Sequence, residues 1–135
     1  MTNVLNKIPK KLHLGISAFI VISVSFVYGG NPSSFLPYIF GFEVEAIDLK
    51  NILRAIMGLY IAFGCYWIYG LLHPKYWRSA TISNVLFMGG LAAGRIVSTI
   101  FDGVSDQFIV GLVLEFIFLI WGIYLLKTDA SSIEK

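Results

Sequence analysis

The last apolar run of the chain, Gln107 to Leu126, carries a single charge, Glu115, near its middle. A helix of about 20 apolar residues crosses a bilayer. A carboxylate inside hydrocarbon is costly unless it is neutralised or paired, so other helices must bring a partner to Glu115. This requirement constrains every arrangement of the remaining segments.

Three further runs of similar kind precede it, and the expected spans are about 12–28, 49–72, 79–101 and 107–126. Together they predict an all-α fold: a four-span transmembrane helix bundle, with a short interfacial segment after the first span and the whole chain, 1–135, as one integral membrane domain. Composition agrees, since the chain is 57% hydrophobic and 13% charged, whereas soluble domains carry about 25% charged residues. The mean hydropathy is +0.79. Basic residues sit at run ends and form no dense patch, which argues against a nucleic-acid partner. Cys65 is the sole cysteine and lies inside an apolar run, where it is expected to be a packing residue. His13 and His73 stand singly near a membrane surface, and no residue set has metal-ligand spacing. No cofactor and no metal are expected.

Lys7, Lys10 and Lys11 precede the first run, which we read as an uncleaved span because it is longer than a signal core. Ser17, Ser25 and Tyr28 fall on one side of it, as small polar residues at a helix contact do. Gly29-Gly30-Asn31-Pro32 stops the helix, and Phe35 to Phe42 is too short to span yet strongly aromatic, which predicts a segment at the membrane surface. Asp48 is placed to cap the second span. In that span Arg54 shares a face with Asn51, Gly58, Ile61 and Cys65. Tyr66, Trp67, Tyr69, Tyr76 and Trp77 gather near its far end as an aromatic belt. In the third span Asn84, Arg95, Ser98, Thr99 and Asp102 form a polar stripe, while Gly90 and Gly94 point away from it as a small-xxx-small pair suited to helix packing within the chain. In the fourth, Gly111 and Gly122 share the Glu115 face and leave room for a partner helix.

The charges separate by loop. Lys7, Lys10, Lys11, Lys75, Arg78, Lys127 and Lys135 lie on one side, and Glu43, Glu45, Asp48, Asp102 and Asp106 lie with Lys50 on the other. By the positive-inside rule both termini are cytoplasmic. Arg54, Arg95 and Glu115 then fall roughly 9, 10 and 13 Å in from the outer ends of their helices at 1.5 Å per residue. Three charges at one level are expected to meet, with Asp102, Ser98 and Asn51 nearby. Two arginines against one glutamate leave a positive charge that an anionic group entering from outside could satisfy; the same residues could equally form a network that only fixes helix register.

The stretches Asp48 to Tyr60, Gly90-Leu91-Ala92-Ala93-Gly94-Arg95 with Asp102-Gly103, and Gly111-Leu112-Val113-Leu114-Glu115 resemble the small bacterial membrane proteins catalogued as domain of unknown function 4345. More distantly the chain is similar to DoxX-like four-helix membrane proteins. The first resemblance covers roughly Tyr28 to Leu126. It implies a multi-pass protein of the bacterial inner membrane, with Arg54, Arg95, Asp102 and Glu115 as characteristic positions, and it implies no activity.

Nothing in the chain matches a nucleophile with its base, a phosphate-cradling glycine loop or a metal triad. The leading reading is therefore a non-enzymatic membrane protein: an accessory subunit, or a binder of a lipid or other anionic amphiphile. Its partners would be membrane lipids, a homo-oligomer or a larger membrane complex. The alternative is a proton-coupled or ion-coupled transporter that uses Glu115 as its proton site, which four spans would support only as an oligomer. A lipid-modifying enzyme ranks third, because a carboxylate between arginines is a poor proton shuttle near neutral pH.

Overall fold

The computed structural model describes residues 7–133, with side chains from 9 to 129. Helices α1 (Lys7–Gly29), α3 (Ile47–Leu72), α4 (Trp77–Asp102) and α5 (Ile109–Ile133) are long, and α2 (Pro32–Phe40) is short. Turns of 3-10 helix at Pro74–Tyr76 and Asp106–Phe108 lead into α4 and α5, and no strand occurs among the described residues. Four segments, Pro9–Gly29, Ile47–Leu72, Pro74–Asp102 and Asp106–Asp129, are long and apolar enough to cross a membrane.

The helices run past the apolar stretches that predict them, because polar end residues can stay helical where they reach water. The N-cap of α3 is Ala46, and Asp48 makes no cap hydrogen bond. Its carboxylate instead sits in the first helical turn, where the helix dipole favours a negative charge. The aromatic segment after α1 is itself helical. Pro32 starts it at a position that needs no N–H, and Gly41, at φ 73°, ends it in the left-handed region.

α1 and α4 run from the end carrying Lys10, Lys11, Lys75, Arg78 and Lys127 towards the end carrying Glu43, Glu45, Asp48, Asp102 and Asp106; α3 and α5 return. These are called the basic and acidic ends below. The closest helix pairs are α1 with α3 and α4 with α5. A buried stripe on α3, Leu53, Tyr60, Gly64, Trp67 and Gly70, faces its neighbours. Glycine decides how near they come: a Cβ at Gly64 would lie 2.5 Å from Ile22 Cγ1, and one at Gly70 would collide with the Cβ of Ala80. Trp67 is fully buried, packs against Phe63 and Phe87, and donates its indole N–H to Ser83 Oγ at 3.0 Å. At the basic end Asp129 pairs with Lys10 and, at 3.7 Å, with Arg78, while the Lys10 ammonium lies 4.5 Å from the centre of the Trp77 ring.

Three sequence expectations need correction. Gly90 and Gly94 do not pack within the chain: both are exposed, and a Cβ on either would meet nothing within 4 Å. They stand where α3 and α4 part, so no helix arrives to use the space. Cys65 is exposed on the outward side of α3. His13 is not a surface residue but is fully buried between α1 and α5, where Gly122 makes room for its ring.

The two kinds of glycine predict opposite responses. Gly90→Ala and Gly94→Ala should each raise stability by roughly 0.5–1 kcal/mol through the lower backbone entropy of alanine. Gly70→Ala should lower it by roughly 1–3 kcal/mol, because the Ala80 Cβ cannot rotate away. Thermal unfolding in detergent measures both directions.

Candidate functional site

Arg95 is on the face of α4 turned towards the bundle centre, seven residues before its last residue, Asp102, and so roughly 10 Å from that end. Glu115 is on α5, two turns in, and only 6% exposed. The two meet. Arg95 Nε donates to both carboxylate oxygens, Oε1 at 2.8 Å and Oε2 at 3.0 Å. The guanidinium lies against α5 because position 111 is glycine; a Cβ there would sit 3.3 Å from Nη2. On its other side the guanidinium carbon is 5.0 Å from the centre of the Phe108 ring, a cation–π contact.

The pairing is end-on through Nε, and it leaves the Nη groups to other partners. The Tyr28 side chain is the other polar group that interacts with the guanidinium. Among the described residues the Nη groups meet no second carboxylate, and the arginine side chain is 23% exposed. A partly open fork of donors in apolar surroundings is a recognition element for a planar or multi-oxygen acceptor.

The surroundings are a cavity of about 240 Å³ between α1, α4 and α5. Val21, Val24, Leu91, Leu114 and Phe118 are among its apolar walls, and Tyr28, Arg95 and Glu115 supply its polar side. Aromatic rings cover the acidic end: Phe40 stacks on Tyr28 at 6.2 Å and approaches Phe108 at 5.1 Å, while Phe42 lies 6.5 Å from Phe108. The left-handed turn at Gly41 lets Phe40 and Phe42 both reach Phe108. Towards the basic end Val21, Met88 and Phe118, all buried, close the cavity. Between α3 and α4 it continues into a groove of about 420 Å³, lined by Leu53, Ile56 and Tyr60 on one side and Gly90, Gly94 and Ser98 on the other.

Arg54 is not part of this arrangement. It is exposed, and no hydrogen bond or ion pair to it occurs among the described residues. Depth is not the reason, since Arg54 is about as deep as Arg95. The reason is azimuth: its neighbour Leu53 is on the buried stripe of α3, and one residue further turns the side chain 100° away. Asn51 shares that outward face and is also exposed. Ser98 donates to Asp102 Oδ2 at 3.0 Å, so these two satisfy each other on the exposed part of α4 instead of balancing Arg95. The buried charge is thus one arginine to one glutamate, with no uncompensated cation. The sequence puts Tyr28 at a helix contact and Phe40 in an aromatic segment at the membrane surface; that these rings and Phe108 cover the Arg95 site is seen only in the fold.

Fold and site define a small all-α protein whose four long helices are apolar enough to cross a membrane, with an ion pair beside a cavity. The chain belongs to the family described as Domain of unknown function (DUF4345), whose family model matches residues 9–126. No curated protein and no solved structure matches it.

Breaking the pair from one side should be worse than removing it. Arg95→Gln leaves the buried Glu115 without its cation and should destabilise the protein by about 3 kcal/mol or more. Adding Glu115→Gln should recover much of that loss, and Arg54→Gln should change little. Unfolding of the wild type and these three variants in the same detergent checks this order.

Proposed function

We propose that the protein is a non-enzymatic binder of an amphiphile taken from the membrane. The observation that carries this reading is the partly used fork of Arg95: its Nε is spent on Glu115 and Tyr28 engages the guanidinium, while the side chain borders an apolar cavity. In hydrocarbon an N–H without an acceptor costs far more than one facing water. An amphiphile supplies both halves of the match, an acceptor oxygen for Arg95 and an apolar chain for the walls.

The even charge of the pair refines the ligand. A surplus positive charge would have favoured a full anion, whereas a neutral pair accepts a carbonyl, ester or other uncharged oxygen without leaving net charge in the bundle. The groove between α3 and α4 is the way in. It opens sideways, towards the hydrocarbon in which four such spans would sit, and Gly90 and Gly94 put no side chain in its path. The buried layer of Val21, Met88 and Phe118 closes the route to the basic end, which supports binding over conduction. In this reading the bundle sits in the bacterial inner membrane with both termini in the cytoplasm, so the ligand enters from the outer leaflet.

Native mass spectrometry of protein released from lipid nanodiscs tests the reading. The wild type should retain a lipid or lipid-like molecule, Arg95→Gln combined with Glu115→Gln should lose at least 10-fold in occupancy, and Arg54→Gln should retain it. Gly94→Leu should also reduce occupancy, by filling the groove without touching the ion pair. A wild type that carries nothing in nanodiscs of mixed phospholipids, with a neutral glycerolipid included, refutes the proposal.

A further inference from the structure

A second polar cluster lies in the basic-end half of the bundle, independent of the cavity. His13, Ser17 and Asn84 are each 0% exposed. His13 Nδ1, Ser17 Oγ and both amide atoms of Asn84 have no hydrogen-bond partner among the described residues. Their burial is not an accident of one loose side chain, because other hydroxyls on the same helices are satisfied locally. Ser25, Thr81 and Ser83 donate to carbonyls three or four residues back on their own helices, and Ser17 does not.

The helix register brings Ser17 and Asn84 to one level, with His13 a turn away. α1 and α4 run in the same direction, and two contacts at opposite ends fix their alignment. Near the basic end the Trp77 indole donates to the Lys10 carbonyl at 3.4 Å, and near the acidic end Tyr28 interacts with Arg95. Both contacts keep the same offset in sequence. Two turns on from Lys10 is Ser17, and two turns on from Trp77 is Asn84. One turn further, Val21 and Met88 both line the cavity. Ser17 therefore faces Asn84 across the helix interface, and His13 is one turn below Ser17 on the same face of α1. α5 closes the third side: a Cβ at Gly122 would lie 3.1 Å from His13 Nε2 and 2.7 Å from Cγ2 of Val85, the neighbour of Asn84.

Donor and acceptor roles follow from the one bond His13 makes. Its Nε2 lies 3.1 Å from the Phe118 carbonyl oxygen, which can only accept, so Nε2 carries the hydrogen and Nδ1 of the neutral ring is a bare acceptor. The unmet groups are thus two acceptors, His13 Nδ1 and Asn84 Oδ1, and two donors, the Ser17 hydroxyl and the Asn84 NH2. Water offers two donors and two acceptors, and buried water is held by about three such bonds. We infer that His13, Ser17 and Asn84 form an internal water site, holding one or two molecules between α1, α4 and α5. The layer of Val21, Met88 and Phe118 separates this water from the cavity at Arg95 and Glu115. The site also explains how three fully buried polar residues without protein partners are accommodated, since each would be costly if unmet.

X-ray hydroxyl-radical footprinting of the intact protein in nanodiscs, with part of the solvent as ¹⁸O water, tests the site, because bound water generates radicals where it sits. The internal reference is Trp67, equally buried and intrinsically more reactive, with its N–H already bonded to Ser83. His13 should be oxidised at several times the rate of Trp67, with ¹⁸O in the product. Ser17→Ala and Asn84→Leu should each bring His13 down towards the Trp67 rate. If Asn84→Leu does not fold, Ser17→Ala, which removes one small group, decides alone. A His13 rate no higher than that of Trp67 in the wild type, or an excess that survives the substitutions, overturns the inference. Neither outcome depends on whether an amphiphile occupies the cavity.

Discussion

A carboxylate in a bundle of apolar helices needs a cation, and the acidic-end half of this structure is arranged around the one that Glu115 finds. The pairing requires α4 and α5 to lie close enough for Arg95 Nε to reach both carboxylate oxygens, and Gly111 provides that clearance. It also requires shelter on the open side, which Phe108 gives by lying over the guanidinium and by joining Phe40 and Phe42 in an aromatic cover. The short helix α2 is thereby explained. It carries Phe40 to the mouth of the cavity, and its own Leu36 is buried with Val44 and Leu53 against the bundle.

How much of this was legible in the sequence depends on whether a property follows from length or from rotation. The four long helices were legible because about 20 apolar residues with few charges have one economical arrangement in a bilayer. The partner of Glu115 was legible as a class, an arginine at similar depth. Its identity needed azimuth. Arg54 and Arg95 match in depth, yet Arg54 sits beside the buried stripe of α3 and Arg95 sits within the inward face of α4. Sequence periodicity gives the faces of one helix relative to each other. It does not say which face turns inward when the helix is apolar nearly all round, as α5 is most clearly.

The glycines show the same limit. A Gly90–Gly94 spacing signals close packing only if a helix comes to that face, and here nothing lies within 4 Å of a Cβ added at either position. The close approaches occur instead at Gly64 and Gly70, where the signal is the alternation of glycine with large aromatic residues along one stripe: Tyr60, Gly64, Trp67, Gly70. The large rings fill space beside the stripe while the glycines admit Ile22 and Ala80. Such a pattern is stronger than a bare small-xxx-small spacing, because it specifies both the knob and the hole.

The contacts between α3 and α4 are unevenly placed along their length. Trp67, Phe63 and Phe87 pack into one cluster, with ring centres 5.0 to 6.2 Å apart, and Gly70 meets Ala80 just below it. The tight glycine contact near the turn and the ring cluster beside it hold the two helices together on the basic side. The aromatic cluster and the Gly70–Ala80 contact fill the α3–α4 interface on the basic side, while the groove lies further on, beside Gly90 and Gly94. The groove beside Gly90 and Gly94 goes with the uneven distribution of glycine and aromatic residues along two adjoining helices.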